Sequence, residues 1–199
     1  MTPLVSGKPT DKWAFLLPPG WARVPAPGTG AVYVPTERMA GIAIPASITE
    51  TEIFGVAGLS ATEVAASLLG GAQGSDAQGS DAQGSDAQER DAQESTVVDV
   101  DGRPGARLAS TLREAPAVAG GPAAGTRQVT YVVSRDDVEG DWLVLSFSTT
   151  FSTGPDSGPA EQLAQTLVDF FDAVMTTFRW TGPGAGPVDL PERTVPGSA

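Results

Sequence analysis

Residues 141–180 read DWLVLSFSTTFSTGPDSGPAEQLAQTLVDFFDAVMTTFRW, and the way this stretch folds decides the architecture. Leu143, Leu145, Phe147 and Phe151 fall on one phase of a two-residue period, the mark of a strand with one apolar face. A Gly/Pro turn follows. Pro159 then suits the first position of a helix spanning 159–177, where no backbone N–H is needed. Along it Leu163, Leu167, Phe170, Phe171, Val174, Met175 and Phe178 make a broad apolar stripe that needs a sheet to cover. Each large side chain so buried stabilises by roughly 1.5–3 kcal/mol, so the strand and its helix dominate the expected stability.

Working outward, the segments just before this pair supply the sheet. Thr126–Arg135 is a strand, and Thr96–Leu112 is a hairpin with Asp101-Gly102 as its tight turn. Sorting by period 2 puts Leu108, Ser110 and Leu112 with Val129, Tyr131 and Val133 and with the Leu143 set, which together form the expected core. The opposite phase holds Arg103, Arg107, Thr111 and Arg113, then Gln128, Thr130, Val132 and Ser134, then Trp142, Val144, Ser146, Ser148 and Thr150. This second face has two readings. It is the wet side of an antiparallel sheet, or a recognition surface where Arg103, Arg107 and Arg113 stand beside Gln128, Trp142, Ser146 and Ser148 to receive a carboxylate-bearing peptide or partner loop.

Farther upstream the strands shorten. Lys12–Leu17 ends at Pro18-Pro19-Gly20, Trp21–Val24 follows, and Ala31–Val34 is stopped by Pro35. Met39–Thr49 reads as an edge strand, with Ile42, Ile44 and Ile48 in phase and Pro45 interrupting it. Ser60-Ala61-Thr62-Glu63 is a capping box ahead of a short helix with Val64, Leu68 and Leu69, which Gly70-Gly71 ends. Residues 1–10 read as a disordered leader and 181–199 as a disordered tail, leaving 11–180 as one domain.

That domain is interrupted by a linker at 72–95. Residues 74–93 repeat GSDAQ three times and ERDAQ once. Asp76, Asp81 and Asp86 recur with glycines, but calcium-binding coils repeat every nine residues and carry an apolar residue for packing, whereas these units offer only Ala. The tract reads as a flexible acidic insertion with too little apolar surface to offset its ordering entropy.

Composition removes several function classes. The 199 residues carry a formal charge of −12, which speaks against a nucleic-acid partner and an anionic membrane surface. There is no Cys and no His, hence no disulfide, thiolate nucleophile, Ser-His-Asp triad or imidazole metal site, and no metal or cofactor is expected. The opening residues lack the basic region and apolar run of a secretory signal, and no stretch approaches 18 apolar residues, so the expectation is a soluble cytoplasmic protein without membrane insertion. Gly120 to Thr126 has glycines at phosphate-loop spacing but no lysine, and GPGAGP at 182–187 is no dinucleotide fingerprint. Paired carboxylates at Asp136 and Asp137, or Asp169 and Asp172, read as a solvated turn and the exposed side of a helix.

The order of elements, with LPPGW at 17–21, FSTTF at 147–151 and VMTTFRW at 174–180, resembles the PsbP-like superfamily. That superfamily includes photosystem extrinsic subunits, a Ran-binding nuclear import factor, actinobacterial LpqN-type lipoproteins and Eag-type secretion chaperones. The resemblance covers roughly residues 11–70 and 95–180. It implies an α+β fold, a single α/β/α sandwich around an antiparallel sheet with a long C-terminal helix, and a role in binding other proteins rather than catalysis. Few lysines and much Ala, Gly and Arg also resemble a high-GC actinobacterial source, although the lipoproteins' signal and anchoring Cys are missing. The expected function is a non-catalytic binding or adaptor protein, in finer terms a chaperone for a secreted or assembled client. Two alternatives stay open: a small-ligand carrier or enzyme with a pocket between sheet and helices, and a structural component of a larger complex.

Overall fold

The strand read from the opening stretch lies at the centre of a seven-stranded antiparallel sheet. The computed structural model describes residues 4–5, 13–24, 30–38, 43–71, 89–114, 123–135, 140–154 and 156–181. In chain order the elements are β1 (Leu4–Val5), β2 (Trp13–Ala14), β3 (Leu16–Leu17), β4 (Trp21–Val24), β5 (Ala31–Pro35), β6 (Ala46–Ile53), α1 (Ala61–Gly71), β7 (Glu89–Val100), β8 (Arg103–Glu114), β9 (Ala123–Ser134), β10 (Trp142–Thr153), α2 (Gly158–Thr176) and β11 (Arg179–Trp180). The sheet order is β4-β5-β6-β10-β9-β8-β7, with β1–β3 and β11–β2 as separate two-stranded pairs. One helix lies on each face, which makes the α/β/α sandwich.

The larger core lies beneath α2, where Leu167, Phe171, Val174, Met175 and Phe178 pack on Val129, Tyr131, Val133, Leu143, Leu145 and Phe147. The smaller core lies beneath α1, whose Ala61, Val64 and Ala65 cover Ala106, Leu108, Val132, Trp142 and Val144. Local chemistry sets the element ends. Ser60 and Glu63 make the expected reciprocal cap, with Ser60 N donating to Glu63 Oε2 at 2.7 Å and Glu63 N to Ser60 Oγ at 3.3 Å. The Ser60 backbone N–H, and after it the Ser60 hydroxyl, both donating to Glu63 Oε2, lower the Glu63 carboxyl pKa from its ordinary value. At the β7–β8 turn Asp101 and Gly102 both have positive φ, 54° and 81°, as a two-residue primed turn requires.

Several expectations need correction. Leu108 stands opposite Thr130, not in line with Tyr131, so it belongs to the α1 core rather than the α2 core; Ser110 and Leu112 follow it. Leu163 is 45% exposed on α2, and Ala164 and Val168 take the buried places beside it. Of the strand expected at Met39–Thr49, residues 39–42 lie outside the described residues; the described strand starts after Pro45, runs to Ile53, and lies inside the sheet between β5 and β10 rather than at its edge. Its second half was hidden by charge, because Glu50 is buried in phase with Ile48, accepting from Tyr33 Oη at 2.8 Å and lying 3.7 Å from Arg23 Nη2. Lys12–Leu17 divides at Phe15, so that Trp13 and Ala14 pair with Trp180 and Arg179 while Leu16 and Leu17 pair with Val5 and Leu4. The expected leader therefore holds one strand.

The linker is also shorter than expected. β7 starts at Glu89, so residues 89–95 belong to the sheet, paired with β8 across a register shift between Asp91 and Glu94. Backbone pairing zips outward from the tight turn and needs no apolar side chain, which is why composition concealed it. The rest of the leader, repeat residues 72–88 with the calcium candidates Asp76, Asp81 and Asp86, the turn with Asp136 and Asp137, and tail residues 182–199 lie outside the described residues.

Candidate functional site

The seven residues expected to form one recognition surface are divided between the two faces of the sheet. Register places Arg107 opposite Tyr131, on the α2 side, while Ser146 and Ser148 stand opposite Thr130 and Gln128 on the α1 side. Arg103 and Arg113 share the phase of Arg107; Trp142 shares that of Ser146. The expected cluster is thus corrected by one residue of phase in β8, since a single-residue slip moves every side chain to the other face.

On the α2 side the arginines serve the scaffold. Arg107 donates from Nε and Nη2 to the two oxygens of Asp172 at 3.0 and 2.7 Å, and Tyr131 Oη donates to Asp172 Oδ1 at 2.8 Å. Asp172, expected on the exposed side of the helix, instead faces the sheet. Its carboxylate raises the Arg107 pKa through the paired hydrogen bonds, and burial, followed by the same carboxylate, pushes the Tyr131 phenol well up. Arg113 Nη1 lies 3.8 Å from Glu161 Oε1, and the Arg103 guanidinium sits 3.9 Å above the Trp180 ring. Asp169 is spaced from Asp172 by helical geometry and accepts from Gln165 Nε2.

On the α1 side the helix covers only part of the sheet. Trp142 is buried under the β6–α1 connection, its indole N–H donating to Val56 O at 3.3 Å, so it stabilises rather than presents. Beyond α1's last described side chain, Leu68, which is 38% exposed, the sheet opens into a groove of about 190 Å³. Ala65 and Leu68 of α1 line it on one side, and the sheet residues Thr51, Leu108, Gln128, Thr130, Val144 and Ser146 line the other. The hydroxyls of Thr130 and Ser146 bond each other at 3.0 Å. Register continues the sheet side outward through Ser148, flanked by Gln128 and Ser47. Gln128, Ser146 and Ser148 are therefore brought together, half-buried, with apolar side chains nearby.

The apolar side of the groove is not legible in the sequence because Leu68 reads there as an ordinary helix residue. Among the described residues, no group of three or more acids stands where it could hold a metal ion, and no helix is long and apolar enough to cross a membrane. What the groove offers chemically is hydrogen-bond donors and acceptors beside apolar side chains, without a titrating nucleophile or acid among the residues that line it.

No protein-family model matches the chain, and no curated protein matches it. Solved structures do. The solution structure of cyanobacterial PsbP (CyanoP) from Synechocystis sp. PCC 6803 is 18% identical, with 89% of this chain and 92% of that one covered and a TM-score of 0.53. A mutant of protein Mog1 is 13% identical over 91% and 97%, with a TM-score of 0.52. The Saccharomyces cerevisiae Ran-binding protein Mog1p is 12% identical over 90% and 96%, with a TM-score of 0.51. At these identities the likeness is one of fold: the chain has a PsbP-like fold.

Proposed function

We propose that this chain is a non-catalytic protein-binding module whose docking surface is the open part of the α1-side face. The observation that carries the proposal is that, among the described residues, α1 covers that face only in part, leaving Leu68 exposed beside the polar side chains of Gln128, Thr130 and Ser146. A groove lined by apolar and hydrogen-bonding side chains suits a segment that anchors an apolar side chain and meets the hydroxyls with backbone or amide groups. Mog1p, which shares the fold, is a Ran-binding protein, and this supports a protein as the ligand. The arginines leave the docking surface, because their faces are turned to α2. In its finer form the proposal is a chaperone for a secreted or assembled client, as the resemblance to Eag-type proteins implies.

The test uses a photoactivatable amino acid at Ser148, with exposed Thr166 of α2 as the control position, in cells that naturally express the chain. Ser148 should give one saturable crosslinked protein, and Gln128→Arg should lower its yield by about tenfold, equivalent to about 1.4 kcal/mol of binding. Equal crosslinking from Thr166, or a yield indifferent to Gln128→Arg, would remove the groove from the binding surface.

A further inference from the structure

β7 closes one side of the sheet, and β8 is its only partner among the described residues. A sheet edge presents a row of unpaired N–H and C=O groups, which proteins commonly guard with Lys, Pro, a bulge or a very short strand. The opposite edge strand, β4, has four residues. β7 has twelve, and from Glu94 to Val100 its register with β8 is unbroken, the irregularity lying before Glu94. Ser95, Thr96 and Val97 are exposed within this run, and Val97 reaches 73%, the most exposed large apolar side chain among the described residues. No Lys or Pro interrupts Glu94–Val100.

Register also fixes what an added strand would meet. Glu94, Thr96 and Val98 stand opposite Ala109, Arg107 and Gly105 and so face the α2 side; Ser95, Val97 and Asp99 face the α1 side. Each side therefore offers one acid, one hydroxyl and one valine. On the neighbouring strand Arg107, opposite Thr96, is engaged by Asp172, and Asp99 keeps the turn by accepting from Gly102 N at 2.8 Å. A second copy of the chain would bring the same acids and a further net charge of −12 to this edge.

We infer that β7 takes up an extended segment of a partner protein as an added edge strand, and that this segment carries basic residues opposite Asp99 and Glu94, with two β-branched apolar residues following the first. Main-chain hydrogen bonds supply affinity in this mode, and alternate side chains supply specificity. The antiparallel match reads basic, apolar, apolar, hydroxyl, hydroxyl, basic. This surface is distinct from the α1 groove and stands or falls separately from it.

The probe is a blocked peptide, Lys-Val-Val-Thr-Thr-Lys, added to the full chain while amide hydrogen exchange and peptide anisotropy are followed. Exchange should slow at alternate amides between Glu94 and Asp99, and the double variant Glu94→Gln/Asp99→Asn, which keeps an acceptor at the turn, should weaken binding by about tenfold. Gln128→Arg should leave peptide binding unchanged. Slowed exchange elsewhere with β7 unaffected, or equal binding of Glu-Val-Val-Thr-Thr-Glu, would overturn the inference. So would protection of β7 by self-association without peptide.

Discussion

Phe171→Ala should lower the unfolding free energy by about 3–5 kcal/mol, read as a shifted urea midpoint with an unchanged slope. Phe171 has no exposed surface. Its ring stacks on Phe147 at 5.3 Å and meets the edge of Tyr131 at 5.7 Å, so it touches both central strands at once. Truncation opens a cavity between a helix and a sheet whose neighbours are themselves large and interlocked, leaving little room to collapse. Leu163→Ala is the matched control, because its side chain is 45% exposed against none for Phe171, and it should change stability by no more than about 0.5 kcal/mol. A cost below about 1 kcal/mol for Phe171→Ala would mean that α2 does not dock through this ring.

The contrast between Phe171 and Leu163 also shows what the sequence carries. The stripe on α2, the alternation in β10, the Asp101-Gly102 turn and the Ser60–Glu63 cap are local patterns, legible because each rests on residues within one turn or strand. The PsbP-like α+β fold follows from their order. The phase of β8 is not local. Both of its faces are covered, one by α1 through Leu108 and the other by α2 through Arg107, so hydrophobic alternation has no wet face to report. A half-buried arginine held against α2 by an ion pair with Asp172, sixty-five residues away, looks in sequence like a solvent-facing charge. Glu50 misleads in the same manner, since Tyr33 and Arg23 stabilise it inside the core. Of the candidate site, the hydroxyls on the sheet were legible and the apolar side chains beside them were not, because Ala65 and Leu68 come from α1, an element far from those strands in the chain.

The arginine that sequence reading assigns to a partner should prove to be structural. Asp172→Leu removes the acceptor shared by Arg107 and Tyr131, leaving a half-buried guanidinium and a buried phenol without it, and should cost about 2–3 kcal/mol, in the range of hydrogen bonds to charged groups. The double variant Arg107→Met/Asp172→Leu should be more stable than Asp172→Leu alone, since no stranded charge remains. Arg107→Glu puts two carboxylates together, so any loss of binding it causes must be corrected for loss of fold. Alkaline titration gives an independent reading of the same triad. Burial and the Asp172 hydrogen bond raise the Tyr131 pKa in the folded chain above its ordinary 10.0, so the folded state retains a proton that the unfolded chain releases. The stabilisation is complete below the ordinary value and is lost as pH climbs past it. Urea midpoints at about pH 9 and about pH 11 should therefore fall more steeply for the parent than for Tyr131→Phe, which has no phenol to titrate. Equal falls would show that Tyr131 ionises in the folded chain as it does in water, and that the Asp172 contact does not hold in solution.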